Sequence, residues 1–210
     1  MTNTLHRQGT AQDLQGDYVV FAYTARGINR EGSAPLLRQF LEILLKHKPV
    51  NAGDSKQGSI LQDDLDAEQL VAGQQDGAGA AAVFTDIDTV GRVVDDLIEA
   101  DLGLSVTVSG LLDPVQACCR QNGIERHSVE HSLGFWGATD RLPEREVLEF
   151  NTLCGHGMVS FTLIRKLIEQ VRLRRLAPAE AAQVMGKCCE CGVFNTDRAE
   201  RLLRRYLPPV

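Results

Sequence analysis

Three cysteines, Cys188, Cys189 and Cys191, stand within four positions in the segment GKCCECGVFN (186–195). A second segment, LCGHGMVS (153–160), carries Cys154 two residues ahead of His156. The chain has six cysteines in all, so four of them are spent here. Cys188 and Cys191 form C-x-x-C, Cys189 and Cys191 form C-x-C, and Gly192 follows directly. Two thiolates this close can chelate one centre without ordering a long loop, and one distant ligand closes the site. Cys154 is the natural candidate for that ligand. Gly155 and Gly157 flank His156, and with Gly192 they would let backbone approach a cofactor or substrate closely.

The spacing discriminates between metals. Structural zinc takes four protein ligands, for example Cys154, His156, Cys188 and Cys191, usually from two C-x-x-C pairs or one such pair with H-x₃₋₅-H. The C-x-H half is off that pattern. Iron–sulfur clusters are held by thiolates, and C-x₂-C spacings belong to that chemistry. The expectation is therefore a cluster of the 4Fe-4S type on Cys154, Cys189 and Cys191, with Cys188 as alternative or fourth ligand and zinc as the alternative metal. With three thiolates, one iron stays open as a Lewis acid that polarises a leaving group. The reaction class that fits is lyase-type elimination of water or sulfide from a small anionic substrate. His156, with an unperturbed pKa of about 6.5, would assist as acid or base. Two other readings compete: a non-catalytic regulatory or assembly protein folded around structural zinc, and a metal-free enzyme whose nucleophile is Cys154, activated by a helix N-terminus and His156.

An anionic substrate needs a cation. TARGINREGS (24–33) offers Arg26 and Arg30 on a glycine-bounded loop at the end of a strand, suited to a carboxylate or phosphate. It lacks the G-x-G-x-x-G and G-x₄-G-K-[ST] patterns of nucleotide sites. His127 and His131 would share one face of a strand, as a paired site or a polar surface. Cys118 and Cys119, inside VQACCRQ, read as core packing.

The elements that must position these groups follow from periodicity. DYVVFAYTA (17–25), AAAVFTD (80–86) and LSVTVSGLL (104–112) read as strands, and ERHSVEHSLGFWG (125–137) as a fourth. Helices are expected at 34–47, after Ser33 and with Pro35 in the first turn, at 88–103 with Asp88 as cap, and at 113–124. Residues 51–79, rich in Gly, Asp and Gln, read as a long loop with one short helix at 64–71. From Pro143 the strand signals stop. The stretch 159–171 carries an apolar stripe, and further helices are expected at 177–187 and 196–207. The fold class is thus α/β (α+β): a layered sandwich of about four strands with packed helices (1–142), followed by a helical, cysteine-bearing subdomain (143–210).

Composition limits the function classes. The start has no apolar core of a secretory signal, and no apolar run nears the roughly 20 residues of a membrane helix. The expected setting is the reducing cytoplasm, where clustered thiols are metal-binding or catalytic rather than disulfides. Residues 151–210 carry 10 Lys and Arg against 5 Asp and Glu, a net of +5, which leaves −11 on the remainder of a chain whose total is −6. The C-terminal arginines interleave with apolar helical positions and have few aromatics nearby, which argues against nucleic acid. The chain leaves room for a homo-oligomer.

Overall fold

The computed structural model describes residues 6–209. A five-stranded antiparallel sheet forms its centre, in the order β3-β2-β4-β1-β5. The strands are β1 (Tyr18–Tyr23), β2 (Asn51–Asp54), β3 (Gly58–Ser59), β4 (Gly79–Phe84) and β5 (Ser105–Ser109). Among the described residues the α-helices are α1 (Ala11–Leu14), α2 (Ala34–Lys46), α3 (Ala67–Ala72), α4 (Ile87–Ala100), α5 (Leu112–Gln121), α6 (Arg145–Asn151), α7 (Phe161–Arg172), α8 (Pro178–Gly186) and α9 (Thr196–Arg204). None is long and apolar enough to cross a membrane.

β1 and β4 are buried almost end to end. Their side chains are complementary in size: Val20 lies opposite Ala82 and Phe21 opposite Ala81. Tyr18, Val20 and Ala22 pack with Leu37 and Phe40 of α2 and Val90 and Val93 of α4. Val19 and Phe21, on the other face, pack with Phe150, Ile164, Leu167 and Leu202 of α6, α7 and α9. Helices on both faces explain why these strands read as continuous apolar runs although the sheet is antiparallel. In α7 the stripe Ile164, Leu167 and Val171 is buried against this core, each side chain contributing about 1.5–3 kcal/mol.

The fold class agrees with the expectation, and three details differ. The stretch 51–79 contains β2 and β3 besides α3. β2, Asn-Ala-Gly-Asp, has no β-branched residue; it pairs through its backbone and is selected for smallness. Residues 125–137 form no strand. Nearly all of them are exposed, so their apparent alternation has no buried face to satisfy. The cap of α4 is Asp86, which accepts from the Thr89 N–H at 2.7 Å, two residues earlier than Asp88.

Candidate functional site

The cysteine-bearing segments meet on the α6–α9 face of the sheet. Cys154 ends a short 3-10 turn (Thr152–Cys154) after α6, and Gly155 reverses the chain at φ 74°. The loop to α7 is braced by Asn151, whose Nδ2 donates to the carbonyls of Gly157 (3.3 Å) and Val159 (2.8 Å). The second segment links α8 to α9 and lies directly on β2. A Cβ on Gly192 would overlap the backbone of Ala52 and Gly53, and one on Gly53 would meet Gly192 N at 2.6 Å. Only glycine at both positions permits that approach, and Gly192 also has φ 75°. Asn51 of β2 secures the segment by donating to the Phe194 carbonyl at 3.1 Å, its own Oδ1 accepting from Ser59 Oγ at 2.7 Å.

The N-terminal segment ties the two loops together, through residues that the sequence reading did not single out. Arg7 donates to the carbonyl of Leu153 (3.1 Å) and to that of Val193, so one guanidinium holds the residue before Cys154 and the residue after Gly192. It also pairs with Asp17. Arg198, fully buried, donates to the other Asp17 oxygen at 2.7 Å, and Asn195 donates to Asp17 at 2.9 Å while capping α9. Burial alone would raise the Asp17 carboxyl, but the guanidiniums of Arg7 and Arg198 and the amide of Asn195 outweigh it and hold it below the usual carboxylate range. Two cations against one carboxylate leave this knot with a surplus positive charge. Such long-range partners, spanning the polar N-terminal segment and α9, leave no local signal in a sequence.

The thiols form a chain that runs from the interior to the surface. Cys154 and Cys189 are fully buried and coupled to each other, Cys189 Sγ lies 4.0 Å from Cys191 Sγ, and Cys191 Sγ lies 3.4 Å from Nδ1 of the exposed His156. Their proton affinities diverge. The bond to Cys189, then burial, pushes Cys154 far above the ordinary thiol range. Cys189 is drawn down by Cys154, but its bond to Cys191 and its burial prevail and push it up to about 11. Cys191 is lowered, chiefly by its bond from Cys189, with help from the Val193 N–H and the Arg7 charge, against the opposing effects of burial and Cys154. Thiolate character therefore concentrates at Cys191.

Cys154, His156, Cys189 and Cys191, which the sequence reading expected together, are together. Cys188 is half-buried, and its thiol points back along α8 to the Val184 carbonyl at 3.8 Å. Arg26 and Arg30 are exposed on the loop between β1 and α2, without a hydrogen bond or ion pair to the thiol site; Arg30 lies against Gly77. His127 and His131 are exposed on the coil after α5. Among the described residues no group of three or more His, Cys, Asp or Glu side chains stands ready to hold a metal ion. The side chains meet in successive contacts, Cys189 with Cys191 and Cys191 with His156, and would have to turn toward one point to share an ion. The spacing of Cys189 and Cys191 suits a small ion: metal–sulfur bonds of about 2.3 Å arranged tetrahedrally put two sulfurs about 3.8 Å apart, against the 4.0 Å found. A multi-iron cluster needs its ligands spread more widely, which requires the two loops to open. Compared with known protein families, curated proteins and solved structures, the chain matches none at a significant level.

Proposed function

We propose that this chain is a thiolate-ligated metal protein whose centre is built on Cys154, Cys189 and Cys191, with His156 at the solvent side. The observation that carries the reading is the meeting of these four side chains from two segments about 35 residues apart, with Cys191 bridging Cys189 and His156. Charge supports it as well. A divalent ion on three thiolates bears a net negative charge, and the surplus cation of the Arg7–Asp17–Arg198 knot, whose Arg7 already acts on Cys191, offsets it. When bound, such an ion would supply a Lewis acid, held by Cys154, Cys189 and Cys191 near His156.

The enzymatic form of this reading is an iron–sulfur lyase, 4Fe-4S in type, that eliminates water or sulfide from a small anionic substrate in the cytoplasm. His156 serves as acid or base, and Arg26 or Arg30 orients the anion from the loop after Tyr23, a residue that packs against the thiol core. In that form nucleic acid is no partner, and a homo-oligomer is compatible with it. Zinc with His156 as fourth ligand would make the same residues a structural site, because a closed four-ligand shell leaves no position for substrate. Anaerobic purification with iron, zinc and acid-labile sulfide analysis distinguishes these forms. Iron with sulfide supports the lyase; one zinc per chain supports the structural site. Failure to take up either metal after reconstitution would rule out the metal reading.

One observation favours a second reading. The lowered Cys191, 3.4 Å from His156, is a thiol–imidazole pair that could act as a nucleophile without metal. This differs from the expectation of Cys154 as nucleophile, whose thiol is buried and strongly raised. Activity abolished by stoichiometric alkylation at Cys191 in metal-free protein would select it.

A further inference from the structure

We propose that the cleft along the free edge of β5 binds a small organic molecule with one carboxylate and an apolar body. Among the described residues β5 pairs only with β1. The coil after α5 passes its outer edge without joining the sheet, and a cavity of about 490 Å³ lies between them. That volume falls in the usual range of small-molecule sites, roughly 300–1,000 Å³. Leu97 of α4, Val106 and Val108 of β5, Val115 of α5 and Ile124 give it an apolar floor. The hydroxyls of Thr107 and Ser109 lie on the opposite face of β5, and both residues border the cavity.

Arg126 supplies the anchor. It lines the cavity, and among the described residues its Nη1 is buried without a hydrogen-bond partner. No ion pair among the described residues includes it. A guanidinium nitrogen buried without an acceptor is unfavourable, and a small turn of the Arg126 side chain toward an entering carboxylate would satisfy it by a charge-assisted bond. The exposed Glu125 and Glu130 also border the cavity and limit the charge it accepts. They repel a dianion such as phosphate more than a monocarboxylate, which fixes the head group. The apolar floor fixes the body.

Tyr23 lines the cavity and packs against the core that contains the thiols, so the two sites share a wall. The proposal stands whatever the thiols hold. Titration calorimetry of the full chain with octanoate, and with octanamide as the neutral counterpart, tests it. Octanoate should bind saturably and octanamide more weakly. Arg126→Gln, on an irregular segment outside the sheet and helices, should weaken octanoate by about tenfold or more, the scale of one charge-assisted hydrogen bond, and leave octanamide unchanged. Absence of octanoate binding at millimolar concentration, or equal affinity in Arg126→Gln, would overturn it.

Discussion

At the scale of single residues, the six thiols divide by burial. Cys154 and Cys189 are fully buried, Cys118 and Cys191 are buried with 4% and 8% exposed, and Cys119 and Cys188 are half-buried. Reagents reach a buried thiol only through local or global opening. In the native protein, iodoacetamide followed by peptide mass spectrometry should therefore modify Cys188 and Cys119 first and leave Cys154 and Cys189 unmodified until denaturant is added. Early labelling of Cys154 would contradict the packing. The candidate ligands were legible in the sequence because clustering is a local property: C-C-x-C and C-x-H stand out in a chain with few cysteines. Arg7 was not legible, because nothing in TLHRQGT distinguishes an arginine that bridges two distant carbonyls from one that is solvated.

At the scale of elements, the cysteine segment depends on backbone-to-backbone contact with β2. Gly192→Ala must place a methyl group against Ala52 and Gly53 and keep φ near 75°. Gly27, at φ 76° with nothing within 4 Å of its notional Cβ, isolates the conformational cost alone. Urea denaturation should show Gly27→Ala losing about 1 kcal/mol and Gly192→Ala about 3 kcal/mol or more. Equal losses would remove the close approach as the reason for the glycine. The same contact explains what the sequence concealed. β1, β4 and β5 carry apolar or β-branched runs and were readable as strands. β2 is Asn-Ala-Gly-Asp, where the tertiary requirement for small residues overrides strand propensity. At 125–137 the reverse holds: the residues alternate as a strand would, yet nearly all are exposed and no buried face fixes them in the sheet.

At the scale of the whole molecule, the first and last parts of the chain are joined through Asp17. Its carboxylate lies between Arg7, Arg198 and Asn195, close to where β1 begins and α9 is capped. Asp17→Asn leaves two buried guanidiniums without their counter-charge and should cost about 3–5 kcal/mol by urea denaturation. The pH dependence follows from the lowered carboxyl. The unfolded group binds its proton near 3.8 and the folded one only below that. Its stabilising contribution is thus fully present above about pH 5 and is lost as the pH falls through 3.8 toward the folded value. Between pH 6 and pH 3 the parent should lose more stability than Asp17→Asn does; parallel curves would contradict this account of the knot.

The metal centre proposed on Cys154, Cys189 and Cys191 is directly testable. Anaerobic reconstitution with iron and sulfide, and separately with zinc, followed by metal analysis of the parent and of Cys154→Ala and Cys191→Ala, tests it most directly. Stoichiometric metal is expected in the parent, with most of it lost in both variants. Retention of full metal by both variants, or no retention by the parent, would contradict it.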